Sequence, residues 1–133
     1  MTLILPSIIG HRGASGSAPE NTLAAFRAAA AAGAKMVEFD VTLSRDGVPV
    51  VIHDDTLDRT TNGSGDVTAH SLAELQKLDA GSWFSSDFAG ERLPTLAEVI
   101  AELDRLGISA NVEIKQNYGH EAETGRIVAQ AVK

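Results

Sequence analysis

The sequence predicts an α/β protein built on a largely parallel sheet, and three observations carry that prediction. Short apolar or alternating strand-like runs are mostly separated by helix-like segments. Acids, histidines and cations gather at the C-terminal ends of those runs, the edge where open sheets and α/β barrels carry their chemistry. The 133 residues, 44% hydrophobic and 22% charged, suit one globular domain with a core of its own.

"SIIG" at 7–10 reads as a short buried strand and "ASGSAPE" as the loop after it. Asn21 is placed to cap an Ala-rich helix from about Thr22 to Ala32, with Gly33 at its left-handed end. A strand follows over 36–43, then a turn with the hairpin-like signal Asp46-Gly47, and a third strand over 48–53. Pro49 near the start of that strand is acceptable at a strand end or edge. Residues 54–94 are polar, glycine-bearing and irregular, with one short helix from Ser71. "SLAE" and "TLAE" are capping boxes that set Glu74 and Glu98 at the third helical position. The second opens a helix from about Leu96 to Leu106, ending at Gly107. "SANVEI" is a strand, and a last helix runs from about His120.

Composition narrows the function classes. No apolar run is long enough to span a membrane, and "MTLILPSIIGHRG" lacks a basic leader region and is broken by Pro6. A cytoplasmic protein without stable membrane insertion is expected. The absence of cysteine excludes disulfides and thiolate metal sites. A net charge of −7 disfavours nucleic-acid partners, so an anionic substrate requires local cations or a metal.

The pattern at 37–43 points to a site. On a strand alternate residues share a face, so Val37, Phe39, Val41 and Leu43 point one way and Glu38, Asp40 and Thr42 the other. In a parallel sheet covered on both faces, carboxylates without partners are costly. His11-Arg12 ends the first strand, His53-Asp54 the third, and "NVEIK" puts Asn111, Glu113 and Lys115 on one face. Each member has a structural reading: Glu38 and Asp40 could pair with Arg12 and Lys115 as an ion network, and His53 could be a hydrogen-bonded core histidine. Glu20 could simply favour a helix N-terminus. Together, three carboxylates without cysteine favour Mg²⁺ or Ca²⁺. Two histidines supply an acid and a base. Arg12 offers a fork suited to phosphate, and the set reads as phosphodiester cleavage.

"GHRGASGSAPENTLAAF", "VEFDVTLSRDGVPVVIHDDTLDRTTNGSG", "DAGSWF", "FAGERLPTLAEV" and "NVEIK" together resemble the glycerophosphodiester phosphodiesterase family, in family order from Ile9 to Lys115. The resemblance implies a (β/α)8 TIM barrel of the phosphodiesterase type. It implies one divalent cation, Mg²⁺ or Ca²⁺, and hydrolysis of glycerophosphodiesters to an alcohol and glycerol 3-phosphate. Carried over by motif, His11 and His53 are the acid–base pair, Glu38, Asp40 and Glu113 the metal ligands, and Arg12 and Lys115 the phosphate contacts. It makes 54–94 the family's insertion. A barrel of this kind takes about 250 residues. The expectation is therefore that residues 1–133 are the N-terminal part of a single barrel domain, completed by further polypeptide. Two alternatives stand beside it: a catalytically silent half-barrel acting in assembly, and a related phosphodiesterase acting on lysophospholipid head groups.

Overall fold

The computed structural model describes residues 9–114. Strand β1 (Ile9–His11) leads through a loop to helix α1 (Leu23–Ala31) and the long strand β2 (Met36–Leu43). Strand β3 (Pro49–Val51) follows, then the segment 54–94 with the short helix α2 (Leu72–Leu75) and 3-10 turns at Val67–Ala69 and Ser86–Phe88. Helix α3 (Leu96–Leu106) and strand β4 (Ser109–Ile114) complete the described chain. Lys115 and the helix expected from His120 lie outside the described residues.

Strand β2 organises the sheet. It pairs in parallel with β1 (Gly10 opposite Val37) and with β4 (Val37 opposite Ala110). Because Val37 has a partner on each side, β1 and β4 flank β2 on opposite edges. Strand β3 departs from the parallel pattern. The Asp46-Gly47 turn folds it back antiparallel, with Val41 opposite Val51 and Leu43 opposite Pro49. It is also shorter than the expected 48–53 run, although Ile52 N–H still donates to Asp40 O of β2 at 3.1 Å.

The alternation in β2 decides which face is core. Val37, Phe39 and Val41 are fully buried against Phe26 and Ala29 of α1 and Leu96, Val99 and Leu103 of α3. Phe26 and Phe39 meet edge to face at 5.6 Å between centroids. Fully burying such a side chain stabilises the fold by about 1.5–3 kcal/mol. Arg27 and Glu102 tie the two helices at 3.2 Å. Helices were expected on both faces; among the described residues α1 and α3 pack on one face only. The opposite face of β2 carries Glu38, Asp40 and Thr42. The apolar alternation continues through β3: Val51 joins the helix-covered core, while Val50 packs with Ile52, Leu57, Val67, Leu75 and Leu93 beneath 54–94.

The capping boxes form as the sequence predicts. Glu74 N–H donates to Ser71 Oγ at 3.2 Å while Ser71 N–H donates to Glu74 Oε1 at 2.8 Å. Thr95 and Glu98 repeat the exchange, and α3 ends at Gly107 in the left-handed conformation. The cap of α1 is corrected. Thr22, not Asn21, accepts from Ala25 N–H, at 3.2 Å. In 54–94, Trp83, Phe84 and Phe88 stack edge to face in series. The Asp79 carboxylate gathers the Gly81, Ser82 and Gly90 amides and so closes the loop that carries them.

Candidate metal and phosphate site

The first strand turns sharply where it reaches the site. Arg12 N–H donates to Glu38 O at 2.7 Å, extending the β1–β2 ladder by one bond, and its φ of 54° then swings the chain off the sheet. Gly13 follows at φ 80°, and a Cβ there would lie 2.7 Å from the Ala25 backbone carbon. Only glycine permits this approach of the turn to α1. The loop returns at Asn21, whose N–H donates to Arg12 O at 2.9 Å and whose φ is 58°. That backbone costs about 1–2 kcal/mol in a residue with a Cβ. It turns the Asn21 side-chain amide inward, where Nδ2 donates to Asp40 Oδ2 at 3.3 Å.

Three carboxylates converge from two strands. Asp40 sits opposite Glu113 in the β2–β4 register, and Glu38 lies two residues back on the same face as Asp40. One oxygen from each of Glu38, Asp40 and Glu113 falls within 4.8 Å of the others. Asp40 is buried, Glu38 largely so, and Glu113 is exposed. Burial pushes the Glu38 carboxyl above its ordinary range; Asp40 and Glu113 push the same way, and His11 opposes them. Burial also raises Asp40, with Asn21 working against it and Glu113 with it. Acids crowded in this way need a compensating positive charge.

Nitrogen atoms approach the carboxylates from two sides. His11 Nε2 lies 3.3 Å from Glu38 Oε2, and Arg12 Nε lies 3.8 Å from Asp40 Oδ2. Neither contact has hydrogen-bond geometry: both Glu38 oxygens and Arg12 Nε are buried without a hydrogen-bond partner. A structural ion network would saturate these atoms. The open oxygens of Glu38 suit a cation, and the open N–H of Arg12 suits an anion. The donor set, all oxygen, fits a hard divalent ion. Lys115, the other expected phosphate contact, lies outside the described residues.

His53 lies two residues past the end of β3. Ile52 N–H donates to Asp40 O at 3.1 Å, which carries the chain to the carboxylates. His53 Nδ1 is 2.9 Å from Asp54 Oδ1. A small cleft beside it is lined by Glu20, Thr60, Thr61, Ala80 and Leu93. Two residues given no role from sequence stand here. Glu20, read as a helix-dipole partner, takes 3.1 Å and 2.9 Å contacts from Arg12 and Arg59. Arg59 also grips Asp54. No local periodicity marks Arg59; its only sequence signal is its place in "HDDTLDRTT".

Residues 11–133 match the model of the glycerophosphoryl diester phosphodiesterase family. The chain belongs to this family. It is 53% identical over 108 residues to a glycerophosphodiester phosphodiesterase of Caldanaerobacter subterraneus subsp. tengcongensis, covering 81% of this chain and 44% of that protein. Among solved structures it is similar to an Oleispira antarctica phosphodiesterase in complex with the product sn-glycerol-3-phosphate. The TM-score is 0.94 at 48% identity, over 96% of this chain and 52% of that one. A glycerophosphodiester phosphodiesterase from Agrobacterium tumefaciens str. C58 gives a TM-score of 0.84 at 42% identity, over 96% and 54% of the two chains. The chain thus spans about half the length of the relatives it matches and supplies about half of the family's (β/α)8 barrel. In barrel terms the helix-covered face of β2 is the outside, and the face bearing Glu38 and Asp40 the inside. No helix among the described residues is long and apolar enough to cross a membrane.

Proposed function

We propose that this protein hydrolyses glycerophosphodiesters to an alcohol and glycerol 3-phosphate, with Glu38, Asp40 and Glu113 holding one divalent cation, Mg²⁺ or Ca²⁺. The observation that carries the reading is the pair of buried Glu38 oxygens that accept no hydrogen bond, within a three-carboxylate cluster flanked by His11 and Arg12. The product bound to the Oleispira relative supports the substrate class. Held by these three carboxylates, a divalent cation would supply charge neutralisation of the phosphodiester and polarisation of a phosphoryl oxygen.

The chain's own residues perform the remaining steps. Arg12 directs its open Nε–H to a phosphate oxygen, joined by Lys115. One of His11 and His53 is neutral and takes a proton from the attacking water as the water oxygen bonds to phosphorus. The other is protonated and returns a proton to the departing alcohol oxygen as the P–O ester bond breaks. Asp54 at His53 Nδ1 makes Nε2 the nitrogen that exchanges the proton. Residues 54–94 act as the family's insertion and wall the glycerol side of the pocket, a reading supported by Thr60, Thr61 and Ala80 beside His53. Ile9 and Ile114, exposed on the two flanking strands, support closure of the barrel by further polypeptide.

The test is release of glycerol 3-phosphate from sn-glycero-3-phosphocholine by the intact protein, with Mg²⁺, with Ca²⁺ and with chelator. Turnover that requires a divalent cation is expected. No turnover with either ion, or turnover indifferent to chelator, would overturn the reading.

A further inference from the structure

An unbroken chain of ionic contacts joins the two strand ends that carry the candidate site. Arg12 Nη1 donates to Glu20 Oε2 at 3.1 Å. Glu20 accepts from Arg59 Nη1 at 2.9 Å and Nη2 at 3.0 Å. Arg59 turns its other edge to Asp54, donating from Nε at 2.8 Å and Nη2 at 2.9 Å. Asp54 Oδ1 then meets His53 Nδ1 at 2.9 Å. One guanidinium therefore holds two carboxylates, each through two bonds, and each carboxylate holds a candidate site residue.

Stability alone does not account for this arrangement. The Arg59 side chain is 46% exposed, and exposed pairs contribute little. What a doubly forked guanidinium supplies is geometry, because its planar donors fix the carboxylate planes as well as their distance. Asp54 Oδ1 is shared between Arg59 and His53, so rotation of Asp54 is blocked and the imidazole faces a fixed acceptor. Glu20 is held by the same guanidinium through two bonds and in turn accepts from Arg12.

We propose that Arg59 is a positioning residue that locks the His53 imidazole through Asp54 and the Arg12 guanidinium through Glu20 into one frame. The inference rests on the proposed diesterase reading for its consequence, turnover, but not for its structural content. Arg59's hydrogen bonds hold Asp54 far below the usual carboxylate range, so Asp54 remains an acceptor and His53 keeps its proton on Nδ1 when neutral. Without Arg59 the Asp54 carboxylate rotates, both imidazole tautomers become populated, and Arg12 loses its orientation.

The experiment uses the intact protein with Arg59→Gln and Arg59→Lys. Nitrogen-15 NMR of the His53 ring reads the tautomer, and steady-state kinetics read kcat and KM. The wild type should show one neutral tautomer, protonated on Nδ1. Arg59→Gln should mix the tautomers and lower kcat about 10- to 100-fold, the usual effect of losing a residue that orients a site side chain. Asp54→Asn should reproduce the kcat loss, Glu20→Gln should raise KM because it releases Arg12, and adding Asp54→Asn to Arg59→Gln should cost no further kcat. Arg59→Lys keeps the charge without the fork, so it should keep the wild-type melting temperature but lose the single tautomer. A folded Arg59→Gln protein with one tautomer and kcat within about threefold of wild type would overturn the proposal. If Arg59→Gln fails to fold, Arg59→Lys decides: wild-type tautomer and kcat in that variant would overturn it equally. Should the wild type hydrolyse no glycerophosphodiester, the diesterase reading fails while the tautomer measurement still decides the positioning role.

Discussion

Gly13 and Gly47 offer a matched pair for testing how the turn after β1 is held. Both have φ of 80°, so an alanine at either carries the same left-handed penalty of about 1–2 kcal/mol. Their surroundings differ. Nothing lies within 4 Å of a Cβ built on Gly47, whereas one on Gly13 meets the Ala25 carbonyl carbon and Cβ at 2.7 Å and its oxygen at 2.8 Å. Ordinary contact begins at 3.4 Å. The turn or α1 must therefore retreat by about 0.7 Å, and backbone inside a close-packed core yields poorly; such overpacking costs about 1–3 kcal/mol. Gly13→Ala should then destabilise by about 2–5 kcal/mol and Gly47→Ala by about 1–2 kcal/mol. The entropy that alanine removes from the unfolded chain is common to both and cancels in the difference. Urea unfolding of the intact protein, with equal m-values, measures each cost. Because Arg12 adjoins Gly13 and bonds the Glu38 carbonyl, Gly13→Ala should also depress turnover under conditions where the variant is folded. Gly47→Ala should leave turnover unchanged. Equal destabilisation by the two variants would refute the claim that contact with α1 selects glycine at 13.

Three further outcomes are expected. Mg²⁺ or Ca²⁺ should raise the melting temperature of the wild type. Glu38→Gln should abolish that rise while leaving the metal-free protein at least as stable, since burial opposes the Glu38 charge; an unchanged cation response would exclude Glu38 as a ligand. His11→Ala and His53→Ala should each lower kcat by about two to four powers of ten and remove one limb of a bell-shaped pH–rate profile, and a profile untouched by His53→Ala would remove it from the mechanism. The third outcome concerns acid stability. Burial alone would raise Glu20, but Arg59 and Arg12 hold it below its ordinary 4.5, and Arg59 holds Asp54 below its ordinary 3.8. Carboxyls lowered by folding stabilise the protein fully above those ordinary values, and that stabilisation is lost as pH falls through the folded ones. Chemical unfolding from pH 6 to about pH 3 should therefore show a smaller acid loss in Arg59→Gln than in wild type. Parallel curves would show that Arg59 does not set these carboxyls.

What the sequence determined alone are the features whose partners lie within a few residues. Ser71 with Glu74, and Thr95 with Glu98, close their capping boxes inside one helical turn. Alternation in 37–43 sorts apolar from acidic side chains because the strand period is two. Asp46-Gly47 marks the fold-back before β3. The tertiary structure decided whatever depends on which strands and loops become neighbours. Asn21 carries a good capping side chain, yet Asp40 draws its amide from 19 residues away and Thr22 takes the cap. Glu38 and Asp40 were legible as misplaced acids, but their meeting with Glu113 needed the parallel β2–β4 register. Glu20 and Arg59, 39 residues apart in the chain, have no local pattern to betray them. A guanidinium bonds whatever carboxylate the fold brings within reach, and that is set when β1, β2 and β3 pair, not by any spacing along the chain.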